Sequence, residues 1–133
     1  MLTLKRKFFD NGATRNALVK LSKATSIPAD TAYRIGKICT RVDREMGLTA
    51  ERCNNLLKEY CKLDEKGNVV WENNEPVFVD KSKESEYDSK FLAIMDEQFQ
   101  EKVHKIKLSD IQNVGLSPEE IISIEEILET DAI

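Results

Sequence analysis

The longest hydrophobic pattern in the chain runs through residues 28–63. Apolar side chains recur there at alternating steps of four and three residues, which is the heptad spacing that keeps one face of a helix apolar. This seam consists of Ile35, Cys39, Val42, Met46, Thr49, Cys53, Leu56, Tyr60 and Leu63, with Thr49 as its polar member. The pattern predicts one helix of about 36 residues, roughly 54 Å long at 1.5 Å per residue.

Both ends of this helix carry boundary signals. Ser26 can cap it, Pro28 fits the first turn, and Gly67 follows shortly after its end. Gly47 costs roughly 1 kcal/mol relative to Ala inside a helix, although the seam keeps its phase across that position. The alternative is a break at Gly47, with Thr49 capping a second helix. An unbroken helix is too long for this chain to cover alone, so we expect part of the seam to dock against another helix or another chain.

Shorter patterns on either side predict a mainly α fold of the α+β class, in a single elongated domain over residues 1–133. The long helix belongs to an antiparallel helical hairpin, because the link before Pro28 is short. The late strand alternates apolar and charged residues and is expected to pair with Leu2 and Leu4. The predicted elements are an N-terminal arm (1–12), the helical hairpin (14–63), a β-hairpin (67–80), a helix (85–100), a short strand (103–108) and a C-terminal helix (117–129).

The C-terminal helix has the clearest start signal. Ser117 can cap it, Pro118 can occupy its first turn, and Glu120 completes a capping box. Its buried side is predicted to hold Ile121, Ile122, Ile124, Ile127 and Leu128, and its solvent side Glu119, Glu120, Glu125, Glu126 and Glu129.

Composition places the protein among charged water-soluble chains. Apolar residues make up 41% and charged residues 33%, and no apolar run reaches the length of a membrane span. The first ten residues lack the pattern of a secretory signal, and the three cysteines fit reduced core positions, so we expect a cytoplasmic protein with no membrane partner.

Charge is divided unevenly along the chain. Residues 1–44 carry 10 Lys and Arg against 3 Asp and Glu, whereas residues 45–133 carry 10 against 21. Such polarity can attract the two halves to each other, or one copy to another. It also allows the basic half to meet nucleic acid or the acidic half to imitate it, although a hydrated surface without a role is the simplest interpretation.

Five stretches carry a likeness to a known family. They are Leu-Val-Lys-Leu-Ser-Lys at 18–23, Ile-Pro-Ala-Asp-Thr-Ala-Tyr-Arg-Ile-Gly-Lys at 27–37, Leu-Lys-Glu-Tyr-Cys-Lys-Leu-Asp-Glu-Lys-Gly-Asn at 57–68, Glu-Lys-Val-His-Lys-Ile-Lys-Leu-Ser-Asp-Ile at 101–111 and Leu-Ser-Pro-Glu-Glu-Ile at 116–121. Together they resemble a family of small tailed-bacteriophage proteins, mostly from phages of Gram-positive hosts. That family is a domain of unknown function, so the resemblance implies a phage origin and a place in the host cytoplasm or the virion. The N-terminal arm and Gly47 depart from its pattern.

We find no motif of a catalytic, cofactor-binding or metal-binding site in the sequence. His104 is the single histidine and lies in the predicted strand region between Lys102 and Lys105. Cys39, Cys53 and Cys61 are 14 and 8 residues apart, which is not a metal-ligand spacing. We find no glycine-rich phosphate loop and no inward-facing carboxylate pair. The sequence therefore predicts no catalytic residue, cofactor or metal.

Eight residues are candidates for contact with a partner. Four cations recur along one side of the long helix, two aromatic residues lie in the β-hairpin, and two acids begin the C-terminal helix. They are Arg34, Lys37, Arg41, Arg44, Trp71, Phe78, Glu119 and Glu120. Our leading hypothesis is a non-enzymatic phage accessory protein that binds a host or phage protein, or a second copy of itself. The alternatives are an acidic inhibitor of a host nuclease, polymerase or defence system by DNA mimicry, and, less favoured, nucleic-acid binding through the basic half.

Overall fold

The computed structural model describes residues 1–129; positions 130–133 of the predicted domain lie outside the described residues. The mainly α prediction with small strands is confirmed. Short 3-10 turns connect several of the regular elements. These elements are β1 (Leu2–Lys5), α1 (Gly12–Ser22), α2 (Ala29–Tyr60), β2 (Trp71–Glu72), β3 (Glu75–Pro76), α3 (Glu84–Met95), β4 (Gln98–Glu101), β5 (Ile106–Lys107), α4 (Pro118–Ser123) and β6 (Leu128–Glu129).

The long helix is a single element. Helix α2 runs for 32 residues without a break, so the alternative of a break at Gly47 is wrong. A side chain at Gly47 would meet no atom within 4 Å, which places this glycine on an open helix face rather than at a bend. The helix ends three residues earlier than predicted, because Cys61 and Leu63 leave it to form β-bridges with Phe78 and Val69.

The chain divides into two compact units, which we describe separately. Unit 1 comprises residues 1–46 and, among the described residues, 98–129; unit 2 comprises residues 47–97. Helix α2 contributes its first part to unit 1 and its last part to unit 2.

Unit 1 contains the main hydrophobic core. Strands β1 and β4 pair antiparallel, with Leu4 opposite Phe99, and both of these side chains are buried. The prediction that β1 pairs with residues 103–108 is therefore wrong. Strand β4 pairs with β1 instead, because buried and exposed side chains alternate along β4 as well. Its Phe99 faces the core between two exposed glutamines. The core comprises Leu2, Leu4, Phe8, Phe9, Ala17, Leu18, Leu21, Ile35, Ile38, Val42, Phe99, Val103, Ile106, Ile111, Ile124, Ile127 and Leu128.

Two predicted helices are shorter than expected. The helix predicted over 85–100 is α3, which ends at Met95 because the chain turns into β4. The helix predicted over 117–129 stops at Ser123, and the chain continues through a 3-10 turn into β6. Strand β6 pairs in parallel with β5, the two-residue remnant of the predicted strand 103–108. Within unit 1 this pairing places the apolar side chains of Ile106 and Leu128 in the core.

The capping box at the start of α4 is confirmed. The Glu120 backbone N–H donates to Ser117 Oγ at 3.1 Å, and the Ser117 backbone N–H donates to Glu120 Oε1 at 2.9 Å. Two side chains of this helix differ from the prediction, because Glu120 is buried and Ile122 is 66% exposed.

Unit 2 packs α3 and the hairpin β2–β3 against the end of α2. The hairpin turns at Asn73 and Asn74, which both have positive φ. Positive φ at both central residues is what a type I′ turn requires, and the twist of that turn matches the twist of the two strands. The two strands of the hairpin are shorter than the predicted ones. Backbone hydrogen bonds nevertheless connect the segment after β3 to the end of α2 and the residues that follow it, because Lys62 N donates to Val77 O at 2.8 Å and Val79 N donates to Tyr60 O at 3.0 Å.

The chain covers almost the whole seam of α2 by itself. In unit 1, Ile35 and Val42 are buried; in unit 2, Thr49 and Leu56 are buried; and Leu63 is the exposed member, at 46%. Of the two covers expected for the seam, another helix or another chain, other elements of the same chain supply the cover at these positions. The seam is also wider than the heptad pattern, because Thr31, Ile38 and Glu45 are buried on the same helix.

Candidate interaction surfaces

The basic stripe on α2 belongs to unit 1 and is partly committed to structure. Arg34 Nη1 donates to the backbone carbonyl of Lys105 at 3.3 Å. Arg41 Nε donates to Glu45 Oε1 at 2.9 Å, and Arg41 Nη1 lies 3.5 Å from Glu101 Oε2. The Arg41 guanidinium also lies over the ring of Phe99, 5.6 Å from its centroid. These two arginines hold the fold together and have little freedom to bind a ligand.

Glu45 is the centre of this ion network. Its carboxylate is almost fully buried and accepts from Arg6 Nη1 at 2.7 Å as well as from Arg41. Burial by itself would raise the pKa of Glu45, but hydrogen bonds from the two arginines and their charges outweigh it and lower the pKa below its ordinary value. Glu45 is therefore a buried ionised carboxylate with a structural partner on each oxygen.

Lys37 and Arg44 are the exposed members of the stripe. They line a shallow depression of about 390 Å³, together with Tyr33 and Thr40. Lys37 Nζ lies 5.9 Å from the centroid of the Tyr33 ring, and Arg44 forms no ion pair within residues 1–129. This pair of cations is what remains of the predicted basic surface.

The two acids of α4 differ in their exposure. Glu119 faces solvent, whereas Glu120 accepts from Lys20 Nζ at 2.8 Å in addition to its capping bond. The hydrogen bond from Lys20 lowers the pKa of Glu120 most, and the hydrogen bond from the Ser117 backbone lowers it further. Glu120 is consequently a structural residue, and Glu119 alone of the two is presented to a partner.

Folding redistributes the charge that the sequence separates. The basic N-terminal segment shares unit 1 with the acidic C-terminal segment, and pairs such as Lys20 with Glu120 and Arg41 with Glu101 join them. Unit 2 holds 7 Lys and Arg against 12 Asp and Glu, a net charge of −5. The acidic surface of the protein is therefore concentrated on unit 2.

Unit 2 carries a groove lined by aromatic and acidic side chains. It has a volume of about 600 Å³ and lies between the hairpin β2–β3 and helix α3. Its apolar lining comprises Leu57, Trp71, Pro76, Val77, Phe78 and Tyr87. Trp71, one of the two predicted aromatic contacts, is 55% exposed, while Phe78 is half-buried. The volume is within the range of roughly 300–1,000 Å³ that is usual for ligand pockets.

Packed aromatic rings support the floor of this groove. Tyr87 meets Phe78 edge-on with ring centroids 5.4 Å apart, and meets Tyr60 edge-on at 6.0 Å. Phe91 lies nearly parallel to Tyr87 at 6.3 Å. Edge-on and offset contacts of this kind are the favourable geometries for aromatic pairs. Phe78 therefore anchors the groove, whereas Trp71 is free to contact a partner.

Carboxylates surround the aromatic lining. Glu72, Glu75, Glu84 and Asp88 line the groove, with Lys81 as the one cation among its lining residues. None of these four acids forms an ion pair with a Lys or Arg among the described residues. Glu72 and Glu75 are directly opposite each other in the hairpin register, where like charges destabilise a strand pair.

Sequence reasoning missed these four acids and Tyr87. A signal for two of them was present, because the turn Asn73-Asn74 predicts a two-residue hairpin and so places Glu72 opposite Glu75. Glu84, Tyr87 and Asp88 come from another helix, and only the packing of α3 against the hairpin brings them to the groove.

The remaining candidates occupy structural or solvent positions. Cys39 and Cys53 are half-buried, Cys61 is buried, and His104 is exposed. Residues 1–129 contain no group of three His, Cys, Asp or Glu side chains able to hold a metal ion. In the same range, none of the helices combines the length and apolar composition that crossing a membrane requires.

Comparison of the chain with protein-family models, with curated proteins and with solved structures finds no match. The resemblance to small phage proteins therefore stays a prediction.

Proposed function

We propose that this chain is a non-enzymatic interaction protein that binds another protein through the groove of unit 2. The observation that supports this function best is the exposed ring of Trp71 beside a preformed aromatic floor. Tryptophan is enriched among the residues that dominate binding energy at protein interfaces. A chain that covers its long helical seam has no structural need to leave its single tryptophan half in water.

The resemblance to small proteins of tailed phages supplies the proposed setting. A protein of this kind acts in the host cytoplasm, as an assembly factor or in host takeover, or accompanies the virion. Its partner is a host or phage protein, and a second copy of the chain is the alternative occupant.

A second candidate, inhibition by DNA mimicry, is supported by the acidity of unit 2. Its net charge of −5 and its unpaired carboxylates imitate phosphates better than α4 does, because Glu120 is occupied by Lys20. This candidate predicts a nuclease, polymerase or defence protein as partner, with DNA competing for the same complex.

Nucleic-acid binding through unit 1 depends on Lys37 and Arg44, the exposed cations of the stripe. A gel-shift assay with Arg44→Glu tests it more cleanly than one with Arg41→Glu, because Arg41 holds Glu45 and Glu101.

The proposed function is tested by affinity capture with the tagged full chain from extracts of phage-infected Gram-positive cells. Trp71→Ala is expected to lose the retained protein. Ile122→Ala, which changes an apolar residue of unit 1 that is 66% exposed against 55% for Trp71, is expected to keep it. Far-UV circular dichroism of both variants checks that they fold. Equal retention by Trp71→Ala and wild type would refute the role of the groove.

A further inference from the structure

The occupant of the groove can be identified by its chemistry. The lining presents four carboxylates against one lysine, and no Lys or Arg among the described residues neutralises any of the four. The same groove is lined by Trp71, which is 55% exposed, and by Tyr87. A cation above an aromatic ring is attracted by the negative face of the ring, and most strongly by tryptophan.

The hairpin itself indicates that a cation belongs there. Glu72 and Glu75 are Cα partners across the two-residue turn, so their carboxylates repel each other in the free protein. A lysine or arginine side chain placed between them would convert this repulsion into two favourable contacts. Unit 2 already contains one lysine over an aromatic ring, because Lys90 Nζ lies 5.1 Å from the centroid of the Tyr60 ring.

We propose that the groove of unit 2 binds a basic segment of the partner protein, with a lysine or arginine side chain over Trp71 between Glu72 and Glu75. This inference rests on the proposed function and adds the chemical class of the bound segment. The charge complementarity is broad as well as local, because the whole unit has a net charge of −5. Binding therefore combines a desolvated aromatic contact with long-range attraction that salt screens.

Trp71 is the single tryptophan of the chain and lines the groove, so its fluorescence reports occupancy directly. The full chain is titrated with pentalysine, with pentaarginine and with pentalysine whose side chains are acetylated. We expect a saturable change in tryptophan emission with both basic peptides, and at least tenfold weaker binding of the acetylated peptide. Raising the salt concentration tenfold should raise the dissociation constants of both basic peptides about tenfold, because salt screens the attraction between the charges.

Two double variants locate the binding. Glu72→Gln with Glu75→Gln is expected to weaken pentalysine at least tenfold, without lowering the denaturation midpoint. Glu125→Gln with Glu126→Gln removes the same charge from exposed positions in unit 1 and is expected to bind like wild type. Loss of binding in both double variants would show attraction to net charge alone and overturn the site.

Other outcomes also decide the proposal. Equal binding of the acetylated peptide, or no response to either basic peptide, would overturn it. An emission change that depends on protein concentration without peptide would identify a second copy as the occupant and would overturn it too. If affinity capture fails with Trp71→Ala but survives Glu72→Gln with Glu75→Gln, the proposed function stands and the basic segment does not.

Discussion

Arg6 and Glu45 are 39 positions apart in the chain, yet Arg6 Nη1 donates to Glu45 Oε2 at 2.7 Å. This contact joins the 3-10 turn after β1 to the middle of the long helix, inside unit 1. Arg41 binds the other carboxylate oxygen, so Glu45 satisfies two guanidinium groups at once. A buried charge is tolerated only with such partners.

Replacing Glu45 by Gln should destabilise the protein substantially. The substitution removes the anion that Arg6 and Arg41 share at 2.7 and 2.9 Å and leaves Arg41 its longer contact with Glu101. Breaking a buried ion pair in this way costs about 3 kcal/mol or more. We expect the low end, because Arg41 keeps partial access to water. Urea denaturation measures the change, and Glu125→Gln, an exposed acid of the same unit, is the control that should stay within about 0.5 kcal/mol of wild type.

The same carboxylate predicts how stability depends on pH. Because the folded-state pKa of Glu45 is lowered from its ordinary 4.5, the stabilisation it provides is fully present above that value and is lost as pH falls through the lowered pKa. The difference in unfolding free energy between wild type and Glu45→Gln should be constant from pH 7 to about 5 and should shrink below that. A difference that grows on acidification would contradict the ion network.

Two glycines should respond to alanine in opposite ways. Gly47 is inside α2 with open space around it, so Gly47→Ala should stabilise the protein by about 1 kcal/mol. Gly67 has φ +79°, which an L-residue adopts at a cost of about 1–2 kcal/mol, so Gly67→Ala should destabilise it. Thermal denaturation of both variants checks the pair. No gain at Gly47 would mean that the helix is interrupted there.

The thiol of Cys39 should be unreactive in the folded protein. Burial and then the charge of Asp43 raise its pKa from 9.0 to about 11, and its sulfur lies 3.8 Å from the Leu18 carbonyl. Alkylation requires the thiolate, so reaction with iodoacetamide at pH 8 should be about a hundredfold slower than in urea. Mass spectrometry of the Cys39 peptide measures both rates, and equal rates would contradict the packing of α1 on α2 in unit 1.

The hairpin of unit 2 should be more stable without one of its opposed charges. Glu75→Gln removes the repulsion with Glu72 and should stabilise the protein by a few tenths of a kcal/mol. Glu65→Gln, in the turn before the hairpin, is the control and should have no measurable effect. If Glu75→Gln destabilises the protein, the Glu75 carboxylate has a favourable partner within the fold. It would then not be available to bind a cation of another protein.

The elements that were predicted correctly are those whose information is local. The heptad spacing from Ile35 to Tyr60 predicts α2, because side chains three and four positions apart lie on the same face of a helix. Ser117, Pro118 and Glu120 define the start of α4 for the same reason, since a capping box closes within one turn.

Pairing partners were not predictable in this way. Residues 98–101 and 103–108 both alternate, and the choice of β4 as the partner of β1 depends on which segment can bring its apolar side chain to a core built by the rest of unit 1. The end of the predicted C-terminal helix is a similar case, because β6 gains a partner in β5 only after the chain has folded.

By itself, then, the sequence determined the long helical pattern, the turn chemistry and the mainly α class, all of which follow from interactions between near neighbours in the chain. It left open whether the helix breaks at Gly47, and the structure decided that it does not. The tertiary structure alone decided that Arg41 and Glu120 serve the fold, that the seam is covered, and that Trp71 shares a groove with acids from α3. Burial, ion pairing and the shape of a groove depend on residues that are distant in the chain, and spacing along one strand or helix carries no information about which of them will meet.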